Sequence, residues 1–213
     1  MQGDLGSLST DDLIQIYRLG CFPMAKSRSD PEFSIFEPFK RALLPIKNLH
    51  IPKRLKRKIL RSPFEVKIDT AFAQVIEACA VARTDTWIND GIIGLFTELN
   101  KKNIAHSIEC WKRGELVGGL YGLELGGTFC GESMFSTETD ASKIALVHLC
   151  ARLDSAGFTL LDAQFRNPHL DQFGLYEMEQ EEYIGLMQSH LKDKTNFACS
   201  GVKEEDLVRA FLS

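Results

Sequence analysis

Apolar positions along the chain alternate between helical and strand spacing, and each change of spacing marks an element. Leu13, Ile16 and Tyr17 recur at helical spacing after Ser9-Thr10-Asp11-Asp12. Ser9 is placed to cap that helix, the two aspartates suit its positive end, and Gly20 ends it. Cys21-Phe22-Pro23-Met24 is apolar but reads as a loop, because a helix cannot run through Pro23. Lys26 to Glu32 is polar loop. Phe33-Ser34-Ile35-Phe36 and Ala42-Leu43-Leu44-Pro45 read as short extended pieces, with Pro38 and Pro45 favouring edge positions. Phe64 to Ile68 alternates as a strand. Phe72, Val75, Ile76 and Cys79 form the apolar side of a helix over 70–82, and a second helix covers 90–100.

Strand alternation returns over 105–111, 116–125 and 128–135, with turns at Lys112-Arg113-Gly114-Glu115 and Gly126-Gly127. The helix predicted over 141–155 carries Ile144, Leu146, Val147, Leu149, Cys150 and Leu153, so much of it is buried. A strand over 158–165 and a helix over 181–190 follow. A last helix over 203–212 has a weak apolar side and reads as a tail packed on the surface. Meander, helix, strand and helix predict an α+β sheet protein rather than a doubly wound one. The expected division is a small N-terminal domain over 1–46, a larger domain over 47–192 and a helical C-terminal tail over 193–213.

Composition narrows the partners. The 213 residues are 44% hydrophobic and 25% charged, enough apolar material for a sizeable core. A net charge of -4 gives no general attraction to nucleic acid, so such contact needs a local patch. One stretch offers it: Lys53 to Arg61 reads KRLKRKILR, which on a helix sets Lys53, Lys56, Arg57 and Arg61 on one face. It is either a solvated amphipathic helix or a phosphate-binding stripe. Cys21, Cys79, Cys110, Cys130, Cys150 and Cys199 are scattered without a CxxC pair, which reads as free thiols in a reducing cytoplasm. No signal-peptide run and no bilayer-spanning apolar stretch stands out.

Candidate chemistry gathers between Gly118 and His169. Asp162 and Gln164 are two apart on a predicted strand, so both side chains should leave one face among apolar neighbours. A carboxylate and an amide emerging there need either protein partners or a substrate. Asn167 and His169 add polar groups at the strand's end, and Glu132 and Ser133 stand on the neighbouring strand. Ser133 lacks the G-x-S-x-G elbow of a nucleophile. His50, His106, His148, His169 and His190 show no metal-ligand spacing, and His106 and His148 read as packed. The glycines at 118, 119, 122, 126 and 127 punctuate strands and lack a phosphate-loop pattern.

Several of these segments form an ordered series: Tyr17-Arg18-Leu19-Gly20-Cys21-Phe22-Pro23-Met24, Thr86-Trp87-Ile88, His106-Ser107-Ile108-Glu109 and Leu116 to Gly122. They lead into Phe129-Cys130-Gly131-Glu132-Ser133-Met134-Phe135-Ser136, Leu161-Asp162-Ala163-Gln164-Phe165 and Pro168-His169-Leu170. The set resembles the leucyl/phenylalanyl-tRNA–protein transferase family. The resemblance implies a small N-terminal domain joined to an acetyltransferase-like (GNAT) domain. It implies a cytoplasmic, monomeric enzyme that needs no cofactor or metal. Such an enzyme moves Leu or Phe, and less well Met, from aminoacyl-tRNA to proteins with N-terminal Arg or Lys, sending them to N-end-rule degradation. By position, Asp162 and Gln164 fall on the family's catalytic pair and Glu132 and Asn167 on neighbouring sites. Met24, Trp87, Leu120, Phe129, Leu149 and Leu153 fall on the wall of the amino-acid pocket. The basic stripe would then take tRNA phosphates. Many members have Trp where Met24 stands, and a Trp-Trp pair where Ile35-Phe36 stands, so the pocket is expected to be softer. Two rival enzymes remain. A CoA-dependent N-acetyltransferase would need a glycine-rich pyrophosphate loop, whereas the junction here reads Ser136-Thr137-Glu138-Thr139-Asp140-Ala141. A related transferase would add Leu to N-terminal Asp or Glu. A non-catalytic RNA-binding module would leave the Asp162/Gln164 pair without a role.

Overall fold

Among the described residues, seven of ten strands join in one mixed sheet, and its middle is built from segments far apart in sequence. The computed structural model describes residues 2–4, 8–199 and 201–213. The chain begins with β1 (Gln2–Asp4), α1 (Thr10–Arg18), β2 (Phe22–Ala25) and β3 (Glu32–Phe36). These strands form a three-stranded antiparallel sheet in the order β1-β3-β2. Next come β4 (Lys40–Leu44), α2 (Lys53–Ile59), β5 (Glu65–Ile68), α3 (Phe72–Val81) and α4 (Asp90–Lys101). The meander β6 (Ala105–Lys112), β7 (Glu115–Leu125) and β8 (Thr128–Ser136) follows. The chain closes with α5 (Ala141–Ala156), β9 (Leu160–Gln164), α6 (Pro168–Asp171), β10 (Tyr176–Glu179), α7 (Gln180–Ser189) and α8 (Glu204–Phe211). The large sheet runs β10-β4-β9-β8-β7-β6-β5, and only β8 and β9 lie parallel.

Local chemistry explains most boundaries. Ser9 and Asp12 form a reciprocal capping box on α1, each side chain 3.1 Å from the other's backbone nitrogen. Gly20 leaves the helix at φ +77°, and a Cβ there would lie 2.7 Å from Gln180 Nε2 and from Ile184. Glycine is therefore required for both conformation and space. Asn89 caps α4 by accepting from the Ile92 nitrogen at 2.9 Å.

Apolar side chains pack on both faces of the large sheet. Leu44, Ile108, Leu120 and Leu161 meet Ile144 and Leu149 of α5 on one face. Tyr121 and Leu123 meet α1, α3 and α4 on the other, through Leu13, Tyr17, Val75 and Phe96. Leu120 and Tyr121 separate to opposite faces as strand neighbours must.

Three segments differ from the reading of the sequence. Phe22–Ala25 is a strand rather than a loop; Pro23 is accommodated because β2 is an edge. Lys40–Leu44 is not peripheral: β4 lies between β10 and β9 in the large sheet. The tail also enters the core. Phe197 is 3% exposed and stacks on His106 and on Phe129, with ring centroids at 4.0 and 5.4 Å. Val208 and Leu212 are buried in the same cluster, and Leu207 is buried as well.

Candidate active site

The parallel strands β8 and β9 pair only as far as Cys130 and Asp162 and then part. A cleft of about 290 Å³ opens at the parting. Leu44, Leu120, Met134, Leu146, Leu149 and Leu161 line it from the α5 face, Met24, Arg83, Trp87, Tyr121, Glu132 and Ser133 line it elsewhere, and the segment from Asp162 to Pro168 closes its rim. Its volume is at the lower end of the roughly 300–1,000 Å³ of small-ligand sites.

Two irregularities aim the polar groups. The β7–β8 register pairs Tyr121 with Ser133 but Gly122 with Gly131, leaving Glu132 as the extra residue of a bulge. Gly122 permits this, since a Cβ there would collide with the Cys130 carbonyl and the Phe129 ring. On β9, Asp162 faces Leu43 and Gln164 faces Ala42, so Ala163 is extra. Gln164 sits at φ +64°, a left-handed conformation that side chains with a Cβ avoid. The simple rule that residues two apart share a face therefore fails here: Asp162 turns into the core and Gln164 crosses to β8.

Asp162 is fully buried and its oxygens are occupied by the protein. Arg41 Nε donates to both at 2.9 Å, and Arg41 Nη2 donates to Oδ2 at 2.6 Å. Tyr183 donates its hydroxyl to Oδ2 at 2.9 Å, and the Gln164 backbone nitrogen donates to Oδ1 at 2.7 Å. Arg41 is equally buried, and Nη1 donates to the Gly20 carbonyl at 2.7 Å. Burial opposes its charge, but Asp162 more than restores it, and the guanidinium pKa lies above its usual range.

Glu132 has a different environment. Its Oε1 accepts from the Tyr17 hydroxyl at 2.7 Å and from Gln164 Nε2 at 2.9 Å. Its Oε2 is buried without a partner, as are the hydroxyl oxygens of Tyr121 and Ser133. Burial pushes the Glu132 carboxyl up to about 8 against the pull of the Tyr17 and Gln164 hydrogen bonds. The cleft thus holds one carboxylate locked in an ion pair and one carboxyl that titrates near neutrality. It also holds an amide whose oxygen meets no donor among the described residues.

Asp162, Gln164, Glu132, Asn167, Met24, Trp87, Leu120 and Leu149 all lie on the cleft wall. Asn167 also caps α6, accepting from the His169 nitrogen at 3.0 Å. Phe129 and Leu153, expected on the pocket wall, do not line this cleft. Phe129 is fully buried against Phe158 and Phe197, and Leu153, one helical turn beyond Leu149, is sealed in the core. On α2 the buried residues are Leu55 and Ile59, while Lys53 and Arg57 are exposed and Lys56 is half-buried; Arg61, also exposed, lies in the turn just beyond the helix. No acidic side chain pairs with these four among the described residues; Lys58, by contrast, is tied to Asp140 at 2.9 Å. Arg41 and Tyr183 do not stand out in the sequence, and Tyr17 reads there as part of a buried helix face and a motif rather than as a partner of Glu132. The one available hint was Arg41, a charge at the start of the apolar run Ala42-Leu43-Leu44. His106 is held by Asp69 at 2.7 Å, and burial pushes His148 down to about 4. No cluster of three or more His, Cys, Asp or Glu suited to a metal occurs among the described residues.

A family model described as leucyl/phenylalanyl-tRNA protein transferase matches residues 43–188, from β4 through α7. The leucyl/phenylalanyl-tRNA–protein transferase of Hyphomonas neptunium is 52% identical over 190 residues, covering 88% of this chain and 74% of its own. Those of Caulobacter vibrioides and Phenylobacterium zucineum are 52% and 48% identical, covering 90% and 89% of this chain and 89% and 87% of theirs. Among solved structures, L-PGS from Bacillus licheniformis overlays at a TM-score of 0.40 and 13% identity, covering 92% of this chain and 62% of that one. Such an overlay bears on neither fold nor function. With the matched stretch holding both strands of the cleft and relatives near half identity along almost the whole chain, this protein belongs to the leucyl/phenylalanyl-tRNA protein transferase family of aminoacyltransferases.

Proposed function

We propose that this chain moves a Leu or Phe group, and less well Met, from aminoacyl-tRNA to the α-amine of proteins with N-terminal Arg or Lys. The modified proteins then pass to N-end-rule degradation in the cytoplasm, and the enzyme works as a monomer. The observation that carries the reading is the meeting of an apolar wall with Glu132 and Gln164 in one cleft. The wall takes the aminoacyl side chain, and Glu132 and Gln164 face the reacting centre. The parting of the parallel strands β8 and β9 supports an acetyltransferase-like (GNAT) reading of the large sheet, with α1 and the small sheet as the N-terminal unit.

The donor is an ester, so its acyl group arrives activated and the chemistry calls for no ATP. The acceptor α-amine titrates near 8. Glu132, pushed up to about 8, is matched to it, so a proton passes between them at little cost. Asp162 belongs to the catalytic pair that the resemblance implies. Its oxygens already accept five hydrogen-bond contacts, which suits it to orienting Gln164 instead. The freed nitrogen attacks the ester carbonyl carbon while the Gln164 amide holds the amine. The bond to the ribose oxygen then breaks, and that oxygen leaves with the second proton. Lys53, Lys56, Arg57 and Arg61 bind tRNA phosphates, fixing the donor without reading its sequence.

Arg83 also lines the cleft, is exposed, and has no acidic partner among the described residues. It favours the second reading, an acceptor with N-terminal Asp or Glu. Labelled Leu-, Phe- and Met-tRNA offered with Arg-, Lys-, Asp- and Glu-initiated peptides tests both. Transfer to the basic peptides is the expected result. Transfer only to the acidic ones replaces the acceptor, and label reaching no peptide refutes the transfer.

A further inference from the structure

We infer that Arg41 and Tyr183 are positioning residues for the transfer step, acting on Gln164 through Asp162; this rests on the proposed place of Gln164 at the reacting centre. Neither side chain lines the cleft, and both are fully buried. What they hold is an unfavourable backbone. Gln164 keeps its left-handed conformation because its nitrogen donates to Asp162 Oδ1, and that oxygen is aimed only while the carboxylate is fixed. Arg41 fixes it with Nε and Nη2, and Tyr183 adds its hydroxyl while its ring lies 4.5 Å from the guanidinium carbon.

The same cluster reaches the other side of the cleft. Arg41 Nη1 and Gln180 Nε2 both donate to the Gly20 carbonyl at 2.7 Å, so β4 and α7 together grip the end of α1. That helix carries Tyr17, the partner of Glu132. One buried network therefore sets both groups that meet across the cleft. Arg41 serves two directions at once with a planar fork, which a lysine's single ammonium does not reproduce.

Tyr183→Phe is the test, since it removes one hydrogen bond and keeps the ring over Arg41. Single-turnover and steady-state transfer are measured per folded molecule, with folding checked by circular dichroism. The expected result is a kcat lower by roughly 10- to 100-fold, with KM for charged tRNA and for peptide within about twofold. In a Gln164→Ala background the same substitution should cost almost nothing more, because the group it positions is gone. A wild-type kcat for Tyr183→Phe overturns the inference, whatever the second background shows. An equal further loss in the Gln164→Ala background also overturns it, because the effect then does not pass through Gln164. Gln164→Ala with a wild-type kcat removes the reading of the cleft itself, and this inference with it.

Discussion

Glu132→Gln keeps the shape of the side chain and an oxygen for Tyr17 and Gln164, and removes only its ionisation. The folded carboxyl titrates at about 8, mainly through burial. In an unfolded chain it titrates near 4.3. Between these values the folded protein keeps a proton that the unfolded chain has released. Stability contributed by this group is therefore present at low pH and is lost as pH rises towards 8. The slope for one proton is about 1.4 kcal/mol per pH unit, so raising pH from 5.5 to 7.5 costs the wild type about 3 kcal/mol. That is a large part of the roughly 5–15 kcal/mol holding an ordinary domain together. The variant lacks this term. Urea unfolding of both proteins at pH 5.5, 6.5 and 7.5, at constant ionic strength, reads it directly. The gap in favour of the variant should widen by about 3 kcal/mol across the series. Parallel stability curves would mean that the carboxyl is ionised throughout, and the proposed exchange of a proton with the amine would lose its basis. In the transfer assay the same variant should lose about 100-fold or more in kcat, the range of a lost general base.

Lys56→Glu with Arg57→Glu should weaken tRNA binding and reduce the slope of log K against log salt by about 1.5; an unchanged slope removes α2 from the interface. Leu149→Ala deepens the apolar wall and should move the preference for Phe over Leu by about tenfold in kcat/KM, measured by competition between the two charged tRNAs. An unchanged ratio places the aminoacyl side chain elsewhere. Phe197→Ala should destabilise the fold by about 3–5 kcal/mol in denaturant unfolding, because the ring fills a closed space between His106 and Phe129; a loss below about 1 kcal/mol contradicts that packing.

The sequence was most legible where neighbours in the chain are neighbours in the fold. The meander β6 to β8, the capped α1 and the buried α5 follow from alternation, a serine–aspartate box and an almost wholly apolar helix. Met24, Trp87, Leu120, Glu132, Leu149, Asp162, Gln164 and Asn167 share one cleft. What alternation does not carry is the bulge. Extra residues at Glu132 and Ala163 rotate side chains out of the two-residue period, and nothing short of the pairing shows them. The roles of Arg41 and Tyr183 were hidden for another reason: they lie in contacts across 121 and 21 residues, which spacing does not record. Phe129 and Leu153 have the composition of a pocket and the position of a core. The tail was underestimated because Phe197, which stacks on His106 and Phe129, is a single ring that produces no periodicity.

The place of β4 has a consequence for how the polypeptide is made. This strand is synthesised long before either of its neighbours, β9 and β10. On the ribosome the meander can zip up hairpin by hairpin, while Arg41 waits about 120 residues for Asp162 to neutralise it and longer for Tyr183. Until then β8 presents a bare edge and a strong cation has no buried counterpart. A nascent chain that has not yet released β9 and α7 thus lacks the buried cluster of Arg41, Asp162 and Tyr183, and with it the contact that holds the Gln164 backbone.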